Sequence, residues 1–362
     1  MTLIPETVSA IKADWLSKVL SERFPGVAVA DIEIAHSREG TNQHGYIRVN
    51  YQNPAGGPEQ LFCKMLPSDS ARKKLIANTH MGLREALFYK SVAPYLNMRT
   101  PEIYYADCNE QDDSFILLME DIEASGCTVS DGTQTVAIDS AAQALEDLAN
   151  IHLQFESPQI RRARIPWLTK TVFSNDDGAN YGPKMLQYGL DHHRDKLAPD
   201  FISLSEIYIT RHVELHELWA RGPQTLIHGD LHIGNLFDDQ GRTGFLDWGI
   251  ISIGTPLRDL SYFLTLSLST EDRREHQQAL IKHYLAVRNA SASTSISFDE
   301  AWRAHQLHAA YTVPACCHIV TFPSDASFKR RRFADAFLGR AQAAIEDLDV
   351  VDALQNHYGI TM

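Results

Sequence analysis

Long apolar runs are missing from this sequence: nothing approaches the roughly 18 consecutive apolar residues that mark a membrane span. The N-terminus has no basic segment followed by an apolar core, so no secretory signal is expected there. Cysteine is scarce and odd in number. Of Cys63, Cys108, Cys127, Cys316 and Cys317, two are adjacent and none has metal-binding spacing, which predicts reduced thiols and a cytoplasmic protein. Basic charge is in deficit, with 33 Lys and Arg against 46 Asp and Glu and a net charge of -13. That balance argues against a general nucleic-acid surface. It reads either as simple solubility or as a bias toward cationic substrates. No internal repeat or long low-complexity tract is present either. What remains is 362 residues, 44% hydrophobic and 22% charged, an ordinary globular composition long enough for two lobes.

The informative stretch is 226–249. Leu226-Ile227 leads into His228, Asp230, His232 and Asn235, and Leu236-Phe237 then runs into Asp238-Asp239-Gln240-Gly241. Asp and Gly supply turn conformations, so the last four predict a hairpin. A second short strand, Phe245-Leu246, presents Asp247 at its end, before Trp248-Gly249. Asp230, Asn235 and Asp247 are expected to converge as oxygen ligands, the set a hard cation such as magnesium prefers beside phosphate oxygens and water. Two plainer readings compete. Each His or Asp could be a cap or turn residue, and His228, Asp230 and His232 could form a zinc site, although their spacing rarely gives a tetrahedral set.

The order His228-Gly229-Asp230-Leu231-His232-Ile233-Gly234-Asn235, then Asp247-Trp248-Gly249, resembles the His-Arg-Asp-Leu-Lys-x-x-Asn and Asp-Phe-Gly of protein kinases. Gly replaces the Arg and His232 the Lys, replacements that look like the aminoglycoside phosphotransferase and choline-kinase-like branch, which phosphorylates small molecules. Gly254-Thr255-Pro256-Leu257-Arg258-Asp259-Leu260 also resembles that branch, not the Ala-Pro-Glu of protein kinases. The resemblance runs from about residue 29 to 265. It implies an α+β, protein-kinase-like fold of two lobes, an antiparallel N-lobe sheet with helices over 1–121 and a mainly helical C-lobe over 122–362.

The chain before that stretch supplies further candidates. Residues 5–24 read as a helix stopped by Pro25-Gly26, and 27–35 as a strand. A polar loop over 38–45 and a strand over 46–52 follow, a layout that fits a phosphate-covering loop or an ordinary hairpin. It lacks Gly-x-Gly-x-x-Gly, and only the resemblance places Thr41 and Asn42 near phosphate. The strand Leu61–Leu66 carries Lys64 among apolar residues, where a lone cation is costly without an anion. Glu85, on a helix predicted over 70–95, is either its partner or a solvated residue. The resemblance makes Lys64 the phosphate-holding lysine and Glu85 its partner. It also makes Ser114–Ile122 the last N-lobe strand, with Met119 behind the adenine and the backbones of Glu120 and Ile122 at its edge.

Helices are further expected over 139–155, 183–196, 201–221, 271–287, 298–318 and 328–348. The resemblance implies transfer of the γ-phosphate of ATP, or of GTP, to a hydroxyl of a small molecule. On that template Asp230 is the base, Asn235 and Asp247 hold magnesium, and Asp259 anchors the loop. The acceptor could be an aminoglycoside, a choline-like amine or another alcohol. Two other classes stay open: a nucleotide-binding regulator without catalysis, and a protein kinase.

Overall fold

The computed structural model describes residues 3–39, 41–168, 181–320 and 327–360. The chain divides into two units, Met1–Val129 with Gly244–Ile251, and Ser130–Thr243 with Ser252–Met362.

The first unit is built on alternation. In β2 (Gln43–Asn53), Ile47 and Val49 are buried while Arg48 and Asn50 are exposed, the period of two expected of a half-buried strand. The other strands are β1 (Ala28–Glu39), β3 (Gln60–Met65), β4 (Ile103–Asn109) and β5 (Ser114–Glu120). They form one antiparallel sheet in the order β1-β2-β3-β5-β4. One face packs on Val8, Ile11 and α1 (Ala13–Leu20), whose Leu16, Val19 and Leu20 share a buried cluster with Ile47, Leu61, Cys63, Ile116 and Leu118. Phe115 of β5 instead meets Gly82 of α3 (Met81–Ser91), which follows α2 (Ser70–Thr79). A short β6 (Thr128–Val129) ends the first stretch of this unit.

Three local expectations need correction. The helix predicted over 5–24 is a 3-10 turn, Val8–Ala10, followed by the shorter α1, because Ile11 and Lys12 are extended and Val8 and Ile11 point into the sheet's core. The helix predicted over 70–95 breaks at His80, which adopts the left-handed conformation at φ 53°. A hydrogen bond between His80 Nδ1 and Asp113 Oδ1, 2.9 Å apart, ties that corner down. The polar loop expected over 38–45 is mostly strand, since β1 and β2 stay paired as far as Glu39 and Gln43. Gly40 lies outside the described residues.

Residues 244–251 return to this unit from far along the chain. The Phe245 N–H donates to the Arg99 carbonyl at 2.8 Å. Trp248, fully buried, stacks on Phe88 of α3 with centroids 4.0 Å apart.

The second unit is mainly helical. It contains α4 (Ile138–Gln154), α5 (Pro158–Arg164), α6 (Tyr181–His193) and α7 (Pro199–Trp219). The short strands β7 (Thr225–Ile227), β8 (Leu236–Asp239), β9 (Arg242–Phe245, its last two residues in the first unit) and β10 (Ser252–Gly254) follow. The turn from β8 to β9 uses positive φ at Gln240 and Gly241, the backbone a two-residue hairpin loop requires. Then come α8 (Pro256–Ser267), α9 (Thr270–Asn289), α10 (Phe298–Ala309), α11 (Thr312–Ala315), α12 (Cys317–Val320), α13 (Phe328–Asp347) and α14 (Val350–Tyr358). The helix expected over 298–318 is thus three pieces, with Pro314, which has no N–H to give a preceding turn, inside the second. All of α8 except Arg258 is buried, the pattern of a helix at the centre of its unit. No helix among the described residues is long and apolar enough to cross a membrane.

Two tests follow from this packing. A Cβ at Gly82 would sit 2.2 Å from the Phe115 ring. Helix propensity alone favours Gly82→Ala by about 1 kcal/mol, but overpacking of this kind costs about 1–3 kcal/mol, so the variant is expected to unfold at lower urea than the wild type. An increased midpoint would contradict the tight contact. The second test is a pH dependence. His305 and His308 are fully buried, and burial first, then the charges of Arg273 and Arg258, pushes both down to about 3. The unfolded chain binds their protons below about pH 6.5 and the folded chain does not, so stability falls as pH drops from there toward 3. Urea midpoints at pH 7 and 5.5 are expected to differ less in His305→Gln/His308→Gln than in wild type.

Candidate functional site

In the first unit the strand register fixes Lys64. Antiparallel pairing sets it opposite His44 of β2, two residues beyond Asn42, and opposite Leu117 of β5. Its ammonium lies 2.7 Å from Glu85 Oε2 and 2.9 Å from Asp247 Oδ1. Lys64 and Glu85 are buried, whereas 47% of the Asp247 side chain is exposed. The expected partnership of Lys64 and Glu85 is therefore present, and a second carboxylate joins it.

The same packing explains why Asp247 arrives there. Glu85 and Phe88 lie three residues apart on one face of α3, and Trp248 stacks on Phe88, so its neighbour Asp247 is delivered beside Glu85. Asp247 does this in the left-handed region, at φ 56° and ψ 65°, a conformation that costs a non-glycine residue energy and concentrates at functional sites. Burial acts to lower the Lys64 pKa, but the charges of Asp247 and Glu85 outweigh it and hold the ammonium above its ordinary value. Burial raises the Glu85 carboxyl to about 7, with the charge of Lys64 opposing and that of Asp247 adding to the rise.

Other candidates of this unit fall as follows. Thr41 is exposed and Asn42 buried, and Asn42 Oδ1 has no hydrogen-bond partner among the described residues. A buried polar atom of that kind is ordinarily satisfied by a ligand or water. Met119 is buried in β5. The Glu120 N–H donates to the Glu102 carbonyl at 2.8 Å, and the Ile122 carbonyl accepts from Cys127 N at 3.0 Å. The Glu120 carboxylate is held by both terminal nitrogens of Arg99, at 2.8 and 2.9 Å, a partner that sequence reading did not anticipate.

In the second unit the loop after β7 is fixed by its backbone. Asp259, on α8, accepts from His228 N at 2.6 Å and from Gly229 N at 2.9 Å. His152 Nε2 lies 3.4 Å from the same carboxylate, and His152 Nδ1 meets the Tyr284 hydroxyl at 2.8 Å. Burial acts to raise the Asp259 carboxyl, but the bonds and charges of His152, His228 and Gly229 together hold it below its ordinary value. Gly229 has φ 88°, a left-handed conformation in which a glycine needs no Cβ accommodation.

Asp230 emerges from this anchor. The Asn235 amide nitrogen donates to its Oδ2 at 3.0 Å and to its main-chain carbonyl at 2.9 Å. The Tyr262 hydroxyl donates to its Oδ1 at 3.0 Å. Sequence reading missed Tyr262, although its position one turn after Asp259 on the same helix face was available as a signal. His232 accepts from Gly234 N at 3.0 Å through Nδ1, so its proton sits on Nε2, 3.6 Å from Asp230 Oδ2. No group of three or more His, Cys, Asp or Glu able to hold a metal occurs among the described residues, which sets aside the zinc alternative.

A family model described as "Phosphotransferase enzyme family" matches residues 74–304. By sequence, no curated protein matches. Among solved structures, a candidate aminoglycoside phosphotransferase from Ralstonia eutropha JMP134 aligns with a TM-score of 0.52 at 14% identity, covering 92% of this chain and 97% of its own. Choline kinase from Cryptosporidium parvum Iowa II aligns with a TM-score of 0.52 at 12% identity, covering 95% and 99%. At these identities the likeness shows the fold, and the expected α+β class, antiparallel sheet first and helices after, is the one observed.

Removing the anchor is expected to be severe. Asp259→Ala leaves two backbone N–H groups and a buried histidine without their acceptor, a loss of about 3–5 kcal/mol in urea unfolding. Asp259→Asn keeps one acceptor oxygen and should lose less. Equal losses in the two variants would show that hydrogen-bond acceptance is not what Asp259 contributes.

Proposed function

The chain belongs to the phosphotransferase enzyme family, and we propose that it moves the γ-phosphate of ATP to a hydroxyl of a small molecule. The observation that carries this reading is the buried Lys64 held at 2.7 Å by Glu85 and at 2.9 Å by Asp247. A buried cation whose second carboxylate is half-exposed suits a site that receives phosphate on one side and a divalent ion on the other.

In this reading the first unit takes the nucleotide. Lys64 supports its phosphates, and Glu85 fixes Lys64. Thr41 and the buried Asn42 lie along the covering turn, Met119 backs the adenine, and Glu120 and Ile122 present backbone to its edge. The Ile122 N–H is the donor there, since the Ile122 carbonyl and the Glu120 N–H already have partners.

Asp247 and Asn235 supply the carboxylate and amide oxygens a hard cation takes, and the Asn235 nitrogen is committed to Asp230. They are the residues that would hold magnesium, whose contribution when bound is to neutralise phosphate charge. The second unit takes the acceptor. Asp230 orients the acceptor hydroxyl and receives its proton as the new oxygen–phosphorus bond forms. The bond from phosphorus to the β–γ bridging oxygen breaks, and ADP leaves with that electron pair.

Asp230→Asn is expected to lower turnover by about 10²–10⁴-fold while nucleotide affinity stays within a few-fold. ADP release over a library of small alcohols, with ATP and GTP in parallel, measures the first, and titration with a fluorescent nucleotide the second. Wild-type turnover in this variant would remove the base. Nucleotide binding without turnover on any acceptor would favour a regulator.

A further inference from the structure

Asp230 is held by more than its neighbours in the loop. The helix α8 binds this loop through three of its residues: Asp259 accepts from His228 and Gly229, Tyr262 donates to the Asp230 carboxylate, and Ser267 donates to the Leu231 carbonyl at 3.1 Å. The Asp259 contacts set the backbone before Asp230, and the Ser267 contact sets the residue after it. Of these α8 contacts, that of Tyr262 is the one made to the carboxylate itself.

We propose that Tyr262 is the positioning residue of the phosphoryl-transfer site, its hydroxyl fixing the plane of the Asp230 carboxylate so that the acceptor hydroxyl meets a single oxygen geometry. This rests on the reading of Asp230 as the base. An aspartate on a loop can rotate about its last side-chain bond, which has broad and roughly twofold preferences. Asn235 holds Oδ2 at 3.0 Å and Tyr262 holds Oδ1 at 3.0 Å, so the two oxygens are distinguished and the rotation is stopped.

Tyr262 is suited to this. It is 4% exposed and stands on the buried α8, so its hydroxyl has little freedom and needs a protein acceptor. Burial, then the charge of Asp230, keeps the phenol well above its ordinary pKa, so it remains a neutral donor. Its ring packs near Tyr311, centroids 6.1 Å apart, and Arg258, one helical turn before it, lies 4.9 Å over that second ring. The aromatic support fixes the ring, and the ring fixes the hydroxyl.

The test is kinetic. ADP release is followed with ATP and water, and with any alcohol the acceptor screen returns, in Tyr262→Phe, in Asp230→Asn and in the double variant. Tyr262→Phe keeps the ring and removes the donor, so kcat is expected to fall about tenfold or more while the KM for ATP stays within about twofold. In the Asp230→Asn background the same change should alter the residual rate less than about twofold, because a residue acting through Asp230 has nothing left to position. Replacement of Tyr262 by 3-fluorotyrosine, which retains the hydroxyl donor, should restore kcat. Should Tyr262→Phe lose its fold, the fluorotyrosine protein still decides the matter, since a wild-type fold with a kcat as low as that of Asp230→Asn would overturn the proposal. An unchanged kcat in folded Tyr262→Phe, or additive effects in the double variant, would also overturn it while leaving Asp230 as the base. Full turnover in Asp230→Asn would instead overturn the reading of Asp230.

Discussion

The second unit depends on one buried carboxylate. Asp259 takes the two backbone N–H groups that precede Asp230 and the imidazole of His152, which is itself held by Tyr284. Backbone donors buried away from water must find acceptors, and here the acceptor is a charged side chain on the most buried helix of the unit. The loop is thereby tied to the core through its main chain, which leaves its side chains available for chemistry. Gly229 belongs to the same arrangement, since its backbone sits where a side chain would be strained.

The first unit answers a similar constraint differently. A buried ammonium on a central strand requires anions, and it has two, brought by separate parts of the chain. Glu85 comes from a helix packed on the sheet, and Asp247 from a segment more than a hundred residues later whose tryptophan lies flat on that helix. Electrostatic need and aromatic packing are satisfied together.

Much of this was legible in the residues. The composite 228–249 carried spacing, order and strand context at once, and Lys64 between apolar neighbours demanded a partner that Glu85 could supply. What was hidden was non-local. Sequence spacing set Asp247 just beyond a short strand, which the structure ends at Phe245, but did not show that it meets Lys64, because that contact is set by Trp248 on Phe88. Periodicity made one helix of 70–95, since a left-handed turn at His80 leaves no strong mark when the residue is neither Gly nor Asn. The helix expected over 5–24 failed for a related reason: apolar residues at helical spacing also suit a short turn that feeds a sheet's core. Tyr262 did not read as chemistry because one aromatic in an apolar helix looks like packing, and only its place one turn after Asp259 set it apart.

The return of residues 244–251 has a bearing on how the polypeptide matures. The chain enters the first unit, leaves it after Val129, comes back at Gly244 and departs again after Ile251. A nascent chain emerging from a ribosome therefore has its sheet and α3 long before it has the tryptophan that covers Phe88. Until position 251 is synthesised, that ring and the Lys64–Glu85 pair wait incomplete, and a fragment cut near residue 129 would keep them so. The amino-terminal part is for this reason a poor candidate for independent expression, since it would lack the ring that covers Phe88.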